Sequence, residues 1–165
     1  MTMEEYQDYL KRKKEPANAA GDECETINMS IIAFEIKGEP VAKARPRVTR
    51  FGTFTPQKTL NYENWVKECF VLSYGNSFVP LEGQLRASIV AYFSIPKSKS
   101  NKIKAMMAAG EVRPVKKPDG DNIIKIVTDA LNKLAYHDDS QLVDISVSKF
   151  YSENARVEVL IQEAI

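Results

Sequence analysis

The chain has 165 residues, of which 44% are hydrophobic and 27% are charged, and its formal net charge is +1. This length and composition are typical of a soluble globular protein with one domain and its own core. No apolar run approaches the roughly 18 residues that a membrane-spanning helix needs, and the start of the chain lacks the apolar stretch of a secretory signal, so we expect a cytoplasmic protein that does not contact a membrane.

Residues 1–28 are predicted to be a polar extension in front of the folded domain. They carry more acids than bases and are aperiodic, apart from a short helix predicted from Met3 to Lys14. Residues 29–165 are predicted to form the single folded domain.

The first half of this domain begins with a strand and continues into a long basic segment. Met29 to Lys37 is apolar and rich in β-branched residues, which is typical of a strand. Prolines and glycines interrupt the following stretch, GEPVAKARPRVTRFGTFTPQKT, in which a hairpin is predicted from Phe51 to Phe54. From Thr59 to about Tyr74 the apolar residues recur at the spacing of an amphipathic helix. The aromatic residues of this helix that we expect in the core or at a dimer interface are Tyr62, Trp65 and Phe70.

The middle of the domain is predicted to contain a strand and a short helix. Apolar and polar residues alternate from Leu85 to Phe93, as they do in a half-buried strand. The following stretch, SKSNKIKAMMAAG, predicts a short helix with Ser98 or Ser100 as its cap and Gly110 as its stop.

The end of the domain is predicted to contain a long helix and two strands. From Asp121 to Leu134 the apolar residues share one helical face. Two closing strands, Leu142 to Tyr151 and Ala155 to Gln162, are joined by a tight turn. The order β-α-β-α-α-β-β predicts an α/β fold of the α+β kind, a single domain in which helices pack on a mixed four-stranded sheet.

Positive charge is concentrated in two blocks, although the whole chain is nearly neutral. The first block consists of Lys43, Arg45, Arg47, Arg50 and Lys58. The second block consists of Lys97, Lys99, Lys102, Lys104, Arg113, Lys116 and Lys117. Clustered lysine and arginine suit a polyanion such as a DNA backbone. The alternative is that these charges form only a solvated surface.

Two aspartates, Asp119 and Asp121, lie at the start of the long helix, in KPDGDNIIKIVTDAL. A helix cap worth roughly 1 kcal/mol explains one aspartate but not the like charge beside it. An EF-hand calcium loop does not fit, because its fifth and sixth positions would be Ile123 and Ile124. A glycosyltransferase DxD pair does not fit either, because no strand precedes the pair. The two acids therefore predict a site for a hard cation, Mg²⁺ or Mn²⁺, bound through carboxylate oxygens.

A third carboxylate for this site is predicted at Asp139. An unbroken helix from Asp121 to Leu134 would climb about 20 Å, whereas the five residues on to Asp139 span at most about 18 Å. Either the helix ends near Asn132, or a partner subunit completes the site.

Other catalytic chemistries fit the residues less well. His137 is the one histidine, and the two cysteines, Cys24 and Cys69, form no CxxC motif, so neither structural zinc nor an HNH-type nuclease centre is expected. Phosphate-loop, Rossmann and nucleophile-elbow patterns are absent. Metal-assisted chemistry on a phosphodiester fits best, since the basic blocks can hold strands while the acids hold the ion. Lys125, one turn after Asp121, can reach the same region or form an ordinary ion pair.

These motifs resemble those of a known family. The stretch KPDGDNIIKIVTDALNKLAYHDDSQLVD is similar to the signature of RusA-type Holliday junction resolvases, D-x-D-N-x-x-K followed by D-A-L and D-D-x-Q. The stretch EPVAKARPRVTRFGTFTPQKTLNYE is similar to the proximal motif of one branch, so the resemblance covers about Ile31 to Ile161. It implies a RusA-like fold and a Mg²⁺-dependent endodeoxyribonuclease, with Mn²⁺ as a substitute, that acts as a homodimer on four-way DNA junctions in recombination and repair. Members of the family are often carried by prophages.

The resemblance also implies roles for individual residues. The acids that match the metal ligands of the family are Asp119, Asp121 and Asp139, and Lys125 matches its catalytic lysine. Further residues that fall on the pattern are Asn122 and Asp138, as supporting residues, and Asp129 and Gln141. The residues that we predict to contact DNA phosphates are Lys43, Arg45, Arg47, Arg50, Lys116 and Lys117.

Two alternative functions remain open at this point. The protein could be a flap nuclease or another structure-specific DNA nuclease, which differs in substrate rather than in chemistry. It could also be a non-catalytic DNA-binding module that assists recombination, in which the acids serve only as helix caps and surface charge.

Overall fold

The structure is a computed structural model that describes residues 31–50 and 52–164. The predicted N-terminal extension, the helix predicted from Met3 to Lys14 and the beginning of the first predicted strand lie outside the described residues. The side chains of residues 47–49 lie outside them as well. Within the described ranges, no helix is both long enough and apolar enough to cross a membrane.

The described residues form six strands, three helices and one 3₁₀ turn. The strands are β1 (Ile31–Lys37), β2 (Arg47–Thr49), β3 (Gly52–Phe54), β4 (Leu85–Ser94), β5 (Leu142–Ser152) and β6 (Arg156–Glu163). The helices are α1 (Gln57–Tyr74), α2 (Asn101–Ala108) and α3 (Gly120–Leu131), and the 3₁₀ turn is Asp139–Gln141. The predicted order of the main strands and helices is confirmed. The hairpin predicted from Phe51 to Phe54 begins earlier, because β2 pairs with β3.

Four strands form one mixed sheet, in the order β1-β6-β4-β5. β6 runs antiparallel to β1 and to β4, whereas β5 runs parallel to β4. A parallel pair requires a crossover connection, and the chain between β4 and β5 contains α2 and α3. The mixed sheet with packed helices confirms the predicted α+β fold, and it leaves β5 at one edge of the sheet.

The core lies between one face of this sheet and the helices α1 and α3. The buried residues of α1 are Thr59, Tyr62, Val66, Cys69 and Phe70, and those of α3 are Ile123, Ile126, Val127, Thr128, Ala130 and Leu131. Both sets recur at the spacing of a single helical face. Tyr62 and Phe70 therefore lie in the core, as predicted. Trp65 is 38% exposed, and its indole N–H donates to the carbonyl of Lys37 at 3.0 Å.

α3 ends at Leu131 with Asn132 as its C-terminal cap, which confirms the alternative in which the helix ends near Asn132, and the helical pattern that continues to Leu134 does not extend the helix. The reason is a tight turn: Lys133 has a φ of 64°, and the amides of Leu134 and Ala135 both donate to the carbonyl of Leu131, at 3.0 and 2.9 Å. A left-handed residue directly after a helix reverses the chain. Asn132, the C-terminal cap, is therefore where the chain turns back towards Asp139.

α2 and the residues after it lie against the far end of β5. A Cβ at Gly110 would lie 3.6 Å from the Phe150 ring, and the Arg113 guanidinium lies 4.1 Å from the centre of the same ring. Arg113 also donates to the carbonyl of Lys149 at 2.9 Å. The second basic block is thereby attached to the sheet at this end.

Candidate metal and DNA site

The acidic pair lies where α3 begins. Asp119 is the residue before the helix, with a φ of −72° and a ψ of 151°, yet its carboxylate accepts no capping hydrogen bond from the helix. A capping aspartate would place its oxygens on the amides of the first turn, so capping does not explain Asp119. Asp121 lies in the first turn with its side chain exposed. Two carboxylates are thus held at the end of the helix where backbone amides favour negative charge.

Gly120, between the two acids, allows α3 to approach β5 closely. A Cβ at this position would lie 2.9 Å from Cγ1 of Val147, which is closer than packed atoms tolerate. The glycine of the KPDGD motif is therefore required by packing, and it fixes the acidic pair beside the middle of β5.

Lys149 holds the loop that leads into the acidic pair. Its ammonium donates to the carbonyls of Lys116, at 2.6 Å, and Pro118, at 2.9 Å, and the peptide bond between Lys117 and Pro118 is cis. Lys149 is not among the residues that the motifs predict for the site. The sequence signal that could have identified Lys149 is its position two residues after Val147 in β5. Side chains two residues apart in a strand lie on the same face, so Lys149 is expected to face α3 as Val147 does.

The first residue of the first basic block is hydrogen-bonded to the first turn of α3. The amide of Lys43 donates to the carbonyl of Asn122 at 3.0 Å, and the Asn122 side-chain amide lies 3.4 Å from the Asp121 carboxylate. The amide of Ala44 lies 3.4 Å from the hydroxyl of Thr59 in α1. Asn122, predicted as a supporting residue, therefore connects the basic segment to the acidic pair through its backbone.

Lys43 forms ion pairs with acids of two helices. Its ammonium pairs with Glu63 of α1 and, at 3.0 Å, with Asp129 of α3. Burial opposes the charge of Lys43, but the hydrogen bonds to Glu63 and Asp129 outweigh burial and raise its pKa. Asp129, which had no assigned role, thus helps to fasten the basic segment. A phosphate contact by Lys43 stays a prediction, and its charge is already balanced by these two acids.

The other predicted DNA contacts lie on the two segments that flank the acidic pair. Those with exposed side chains are Arg45, Arg50, Lys116 and Lys117. The Lys116 ammonium lies 5.2 Å from the centre of the Phe93 ring. Arg47 lies in β2, and its side chain lies outside the described residues. Positive charge is therefore placed on both sides of the acids in the chain, and phosphate contact by these residues stays a prediction.

Gln141 fixes the turn that carries the third predicted acid. Its side-chain oxygen accepts hydrogen bonds from the amides of His137, at 2.8 Å, and Asp138, at 3.0 Å. Its side-chain nitrogen donates to the carbonyls of Leu81, at 3.1 Å, and Gly83, at 3.2 Å. One glutamine therefore fastens the turn to the chain before β4, which explains its place in the D-D-x-Q motif.

The two aspartates of this motif have different environments. The Asp138 carboxylate accepts the amide of Ser140 at 2.9 Å, and hydrogen bonds from Ser140 lower the pKa of Asp138. This bond caps the 3₁₀ turn, and a supporting role of Asp138 in the metal site stays a prediction. Asp139 follows it with an exposed side chain.

Asp139 lies near Tyr136, whose side chain contacts α3. The Tyr136 hydroxyl donates to the carbonyl of Thr128 at 2.7 Å, and burial, followed by the nearby charge of Asp139, raises the pKa of Tyr136. Thr128 is about 10 Å along the helix from Asp121. In the two described ranges, no group of three or more histidine, cysteine, aspartate or glutamate side chains is placed to hold a metal ion. Among the described residues of one chain, Asp119, Asp121 and Asp139 therefore do not form a three-acid group.

The donor chemistry of the acidic pair suits a hard cation. Carboxylate oxygens are the ligands that Mg²⁺ and Mn²⁺ prefer, and Mg²⁺ is commonly bound by one or two carboxylates together with water and phosphate. Asp119 and Asp121 meet this requirement in type and number. Lys125, exposed one turn after Asp121, places an ammonium next to the same region.

The acidic pair suits a divalent cation and the neighbouring basic segments suit DNA phosphates, so the class of protein that this site indicates is a nuclease. Comparison with known proteins identifies the family. Residues 37–162 match the family model for endodeoxyribonuclease RusA. The chain belongs to this family, which confirms the resemblance seen in the motifs and supports endodeoxyribonuclease activity on DNA junctions. A relative from Bacillus subtilis (strain 168), the uncharacterized protein YqaN, is 44% identical over 141 residues, which are 82% of this chain and 98% of that protein.

Proposed function

We propose that the protein is a divalent-metal-dependent endodeoxyribonuclease that acts as a homodimer and cuts four-way DNA junctions by paired symmetric nicks. The observation that carries this proposal is the carboxylate of Asp119, which does not cap α3 and lies next to Asp121. Two acids with oxygens available beside a basic segment suit the binding of a cation together with a phosphate.

Each residue of the site has a proposed task. Asp119 and Asp121, with an Asp139, would hold Mg²⁺, or Mn²⁺ in its place. The bound ion would supply Lewis-acid chemistry by activating water and by balancing the charge on the departing oxygen. The Lys125 ammonium stabilises the negative charge that develops on the phosphate during cleavage.

The basic segments hold the DNA against these acids. The amide of Lys43 is hydrogen-bonded to Asn122, and the segment that begins there contains Arg45, Arg47 and Arg50. The second segment contains Lys116 and Lys117, which precede the acidic pair in the chain. Contacts of this kind fix the position of the backbone without reading the base sequence. A four-way junction has two-fold symmetry, so a dimer with C₂ symmetry places one site at each of two matched phosphates.

The proposal is tested with a labelled four-way junction incubated with and without Mg²⁺. We expect symmetric nicks only with Mg²⁺, and we expect Asp121→Asn to abolish cutting while junction binding in a gel-shift assay is retained. Glu68→Gln, which removes an exposed acid of α1, is the matched control and should cut like the wild type. Full cleavage by the Asp121→Asn variant would reject the proposal.

The same assay separates the alternative functions. A shifted band without nicks under all metal conditions would identify a DNA-binding accessory module. Equal cutting of junction, flap and linear duplex would identify a nuclease with another substrate preference.

A further inference from the structure

α2 and the loop before it carry four lysines to which the proposed function assigns no role. They are Lys97, Lys99, Lys102 and Lys104, and residues 95–110 contain no acid. The first three have exposed side chains, and Lys104 is half-buried. In the part of the chain that the structure describes, none of the four forms an ion pair. We call these four residues the α2 lysines.

The α2 lysines differ from an ordinary solvated surface. A surface that only keeps a protein in solution has charges of both signs interspersed, whereas the charges from residue 95 to residue 110 all have one sign. The whole chain has a net charge of only +1, so the concentration of positive charge is local. A local surface of one sign suits a polyanion as its partner.

The α2 lysines lie just beyond the end of β5. Lys97 and Lys104 line one groove together with Glu153, and Glu153 directly follows Ser152, the last residue of β5. Glu153 is the one acid among the residues that line this groove. The groove therefore keeps a net positive charge at the place where β5 ends.

A segment with further positive charge connects α2 to the acidic pair. Gly110 lies beside the Phe150 ring, and Gly120 lies beside Val147, so the chain between these glycines runs back along β5 towards its middle. The exposed cations of this segment are Arg113, Lys116 and Lys117, against one acid before the acidic pair, Glu111. Positive charge thus continues from the acidic pair to the α2 lysines.

The length of β5 gives the distance between the two ends of this basic track. The acidic pair is held beside Val147, and the steps from Val147 to Ser152 extend about 16 Å. Duplex DNA rises about 3.4 Å per base pair. The α2 lysines are therefore about five base pairs away from a phosphate that is bound at the acidic pair.

We propose that the α2 lysines bind the phosphate backbone of one duplex arm of the junction, about five base pairs from the phosphate at the acidic pair. The proposal rests on the proposed function, and it adds a second contact region to the residues already predicted to bind DNA. At this distance from the branch point the DNA is an ordinary duplex, so these contacts hold the direction of an arm and read no base sequence.

The first experiment removes two of the α2 lysines. The α2 variant, Lys99→Ala/Lys102→Ala, is compared with a matched control, Lys37→Ala/Lys67→Ala, whose exposed lysines lie in β1, at the other edge of the sheet, and in α1. Binding of the full-length proteins to a four-way junction is measured by fluorescence anisotropy in EDTA at several salt concentrations. We expect the α2 variant to lower the slope of log affinity against log salt concentration by about 2 per bound chain, and the control to keep the wild-type slope. A wild-type slope in the α2 variant, or an equal loss in the control, would overturn the proposal.

The second experiment locates the contact on the DNA. Neutral methylphosphonates replace the phosphates about four to six nucleotides from the branch point in one junction, and about twelve to fourteen nucleotides from it in another. The salt slope on the first junction should be lower than on the second, and this difference should be larger for the wild type than for the α2 variant by about 2 per bound chain. Equal differences for the two proteins would mean that the α2 lysines do not bind this part of the arm.

Cleavage by the wild type separates this inference from the proposed function. If the wild type cuts the junction with Mg²⁺ but the α2 variant binds with an unchanged salt slope, the arm contact is rejected and the proposed function stands. If the wild type never cuts with Mg²⁺ or Mn²⁺ but the α2 variant loses salt slope as expected, the proposed function is rejected and the arm contact stands.

Discussion

Gly120 shows how a single atom sets the position of the acidic pair. Replacing it by alanine puts a Cβ 2.9 Å from Cγ1 of Val147, and overpacking of this kind typically costs about 1–3 kcal/mol. The better helix propensity of alanine offsets less than 1 kcal/mol of that cost. We therefore expect Gly120→Ala to lower the free energy of unfolding by about 1–2 kcal/mol, measured by urea denaturation, and to reduce junction cleavage because Asp119 and Asp121 are displaced.

The double variant Gly120→Ala/Val147→Ala is the control for this explanation. It removes the atom that the new Cβ would meet, so the two substitutions should be coupled, with a combined cost clearly below the sum of the single costs. A stabilising effect of Gly120→Ala alone would show that α3 is not held against β5 as described.

Lys43 is the residue whose loss should affect stability more than its exposure suggests. Its side chain is 21% exposed and lies between Glu63 and Asp129, which are 15% and 29% exposed. Lys43→Met leaves two acids near each other without a cation, which we expect to cost on the order of 2 kcal/mol in urea denaturation. Lys58→Met, at an exposed position of α1, should change stability by less than about 0.5 kcal/mol. Adding Glu63→Gln to Lys43→Met should recover part of the loss, and no recovery would contradict the ion-pair explanation.

The turn after α3 is an element whose conformation suits glycine better than the residue it contains. Lys133 has a φ of 64°, and a left-handed conformation costs a residue with a Cβ about 1 kcal/mol. Lys133→Gly should therefore raise the free energy of unfolding by about 0.5–1 kcal/mol. Lys104→Gly, inside α2, makes the same replacement in a right-handed helix and should lower stability by about 1 kcal/mol. A loss of stability in both variants would contradict this explanation.

At the scale of elements, the sequence predicts what depends on local periodicity. The face of α1 with Tyr62 and Phe70, the alternation of β4 and the start of α2 directly after Ser100 all follow from short-range patterns and are found in the structure. The Ser100 side chain itself makes no capping hydrogen bond. The end of α3 does not follow, because the apolar Leu134 continues the helical pattern beyond the left-handed Lys133. The close approach of Gly120 and the hydrogen bonds of Lys149 and Gln141 depend on neighbours far away in the chain, and periodicity carries no information about such neighbours.

The same limit applies to the candidate site. The residue types of Asp119 and Asp121, and their place at a helix start, were predictable from the motif alone. The missing capping hydrogen bond of Asp119 and the lack of a three-acid group among the described residues were not, since both depend on how distant parts of the chain pack. The sequence allows two ways to bring Asp139 to the site: either α3 ends near Asn132, or a partner subunit supplies the residue. α3 does end near Asn132. No three-acid group results among the described residues, so the source of the third carboxylate is not predictable from the helix end alone.

At the scale of the whole molecule, the placement of charge matters more than its sum. The net charge of +1 would give almost no attraction to DNA, whereas the segment from Lys43 to Arg50 collects positive charge beside the acidic pair. Each phosphate neutralised by the protein adds about 0.9 to the slope of log affinity against log salt concentration on duplex DNA. Salt dependence therefore reports local contacts rather than net charge.

Arg45→Ala tests this placement. Arg45 is exposed in the basic segment, so its loss should weaken binding of a four-way junction and lower the salt slope by about 1, measured by fluorescence anisotropy in EDTA, where no cutting occurs. Lys67→Ala removes the same charge from an exposed position of α1 and should leave the slope unchanged. If both variants lowered the slope equally, net charge rather than the basic segment would govern binding, and the proposed DNA surface would be wrong.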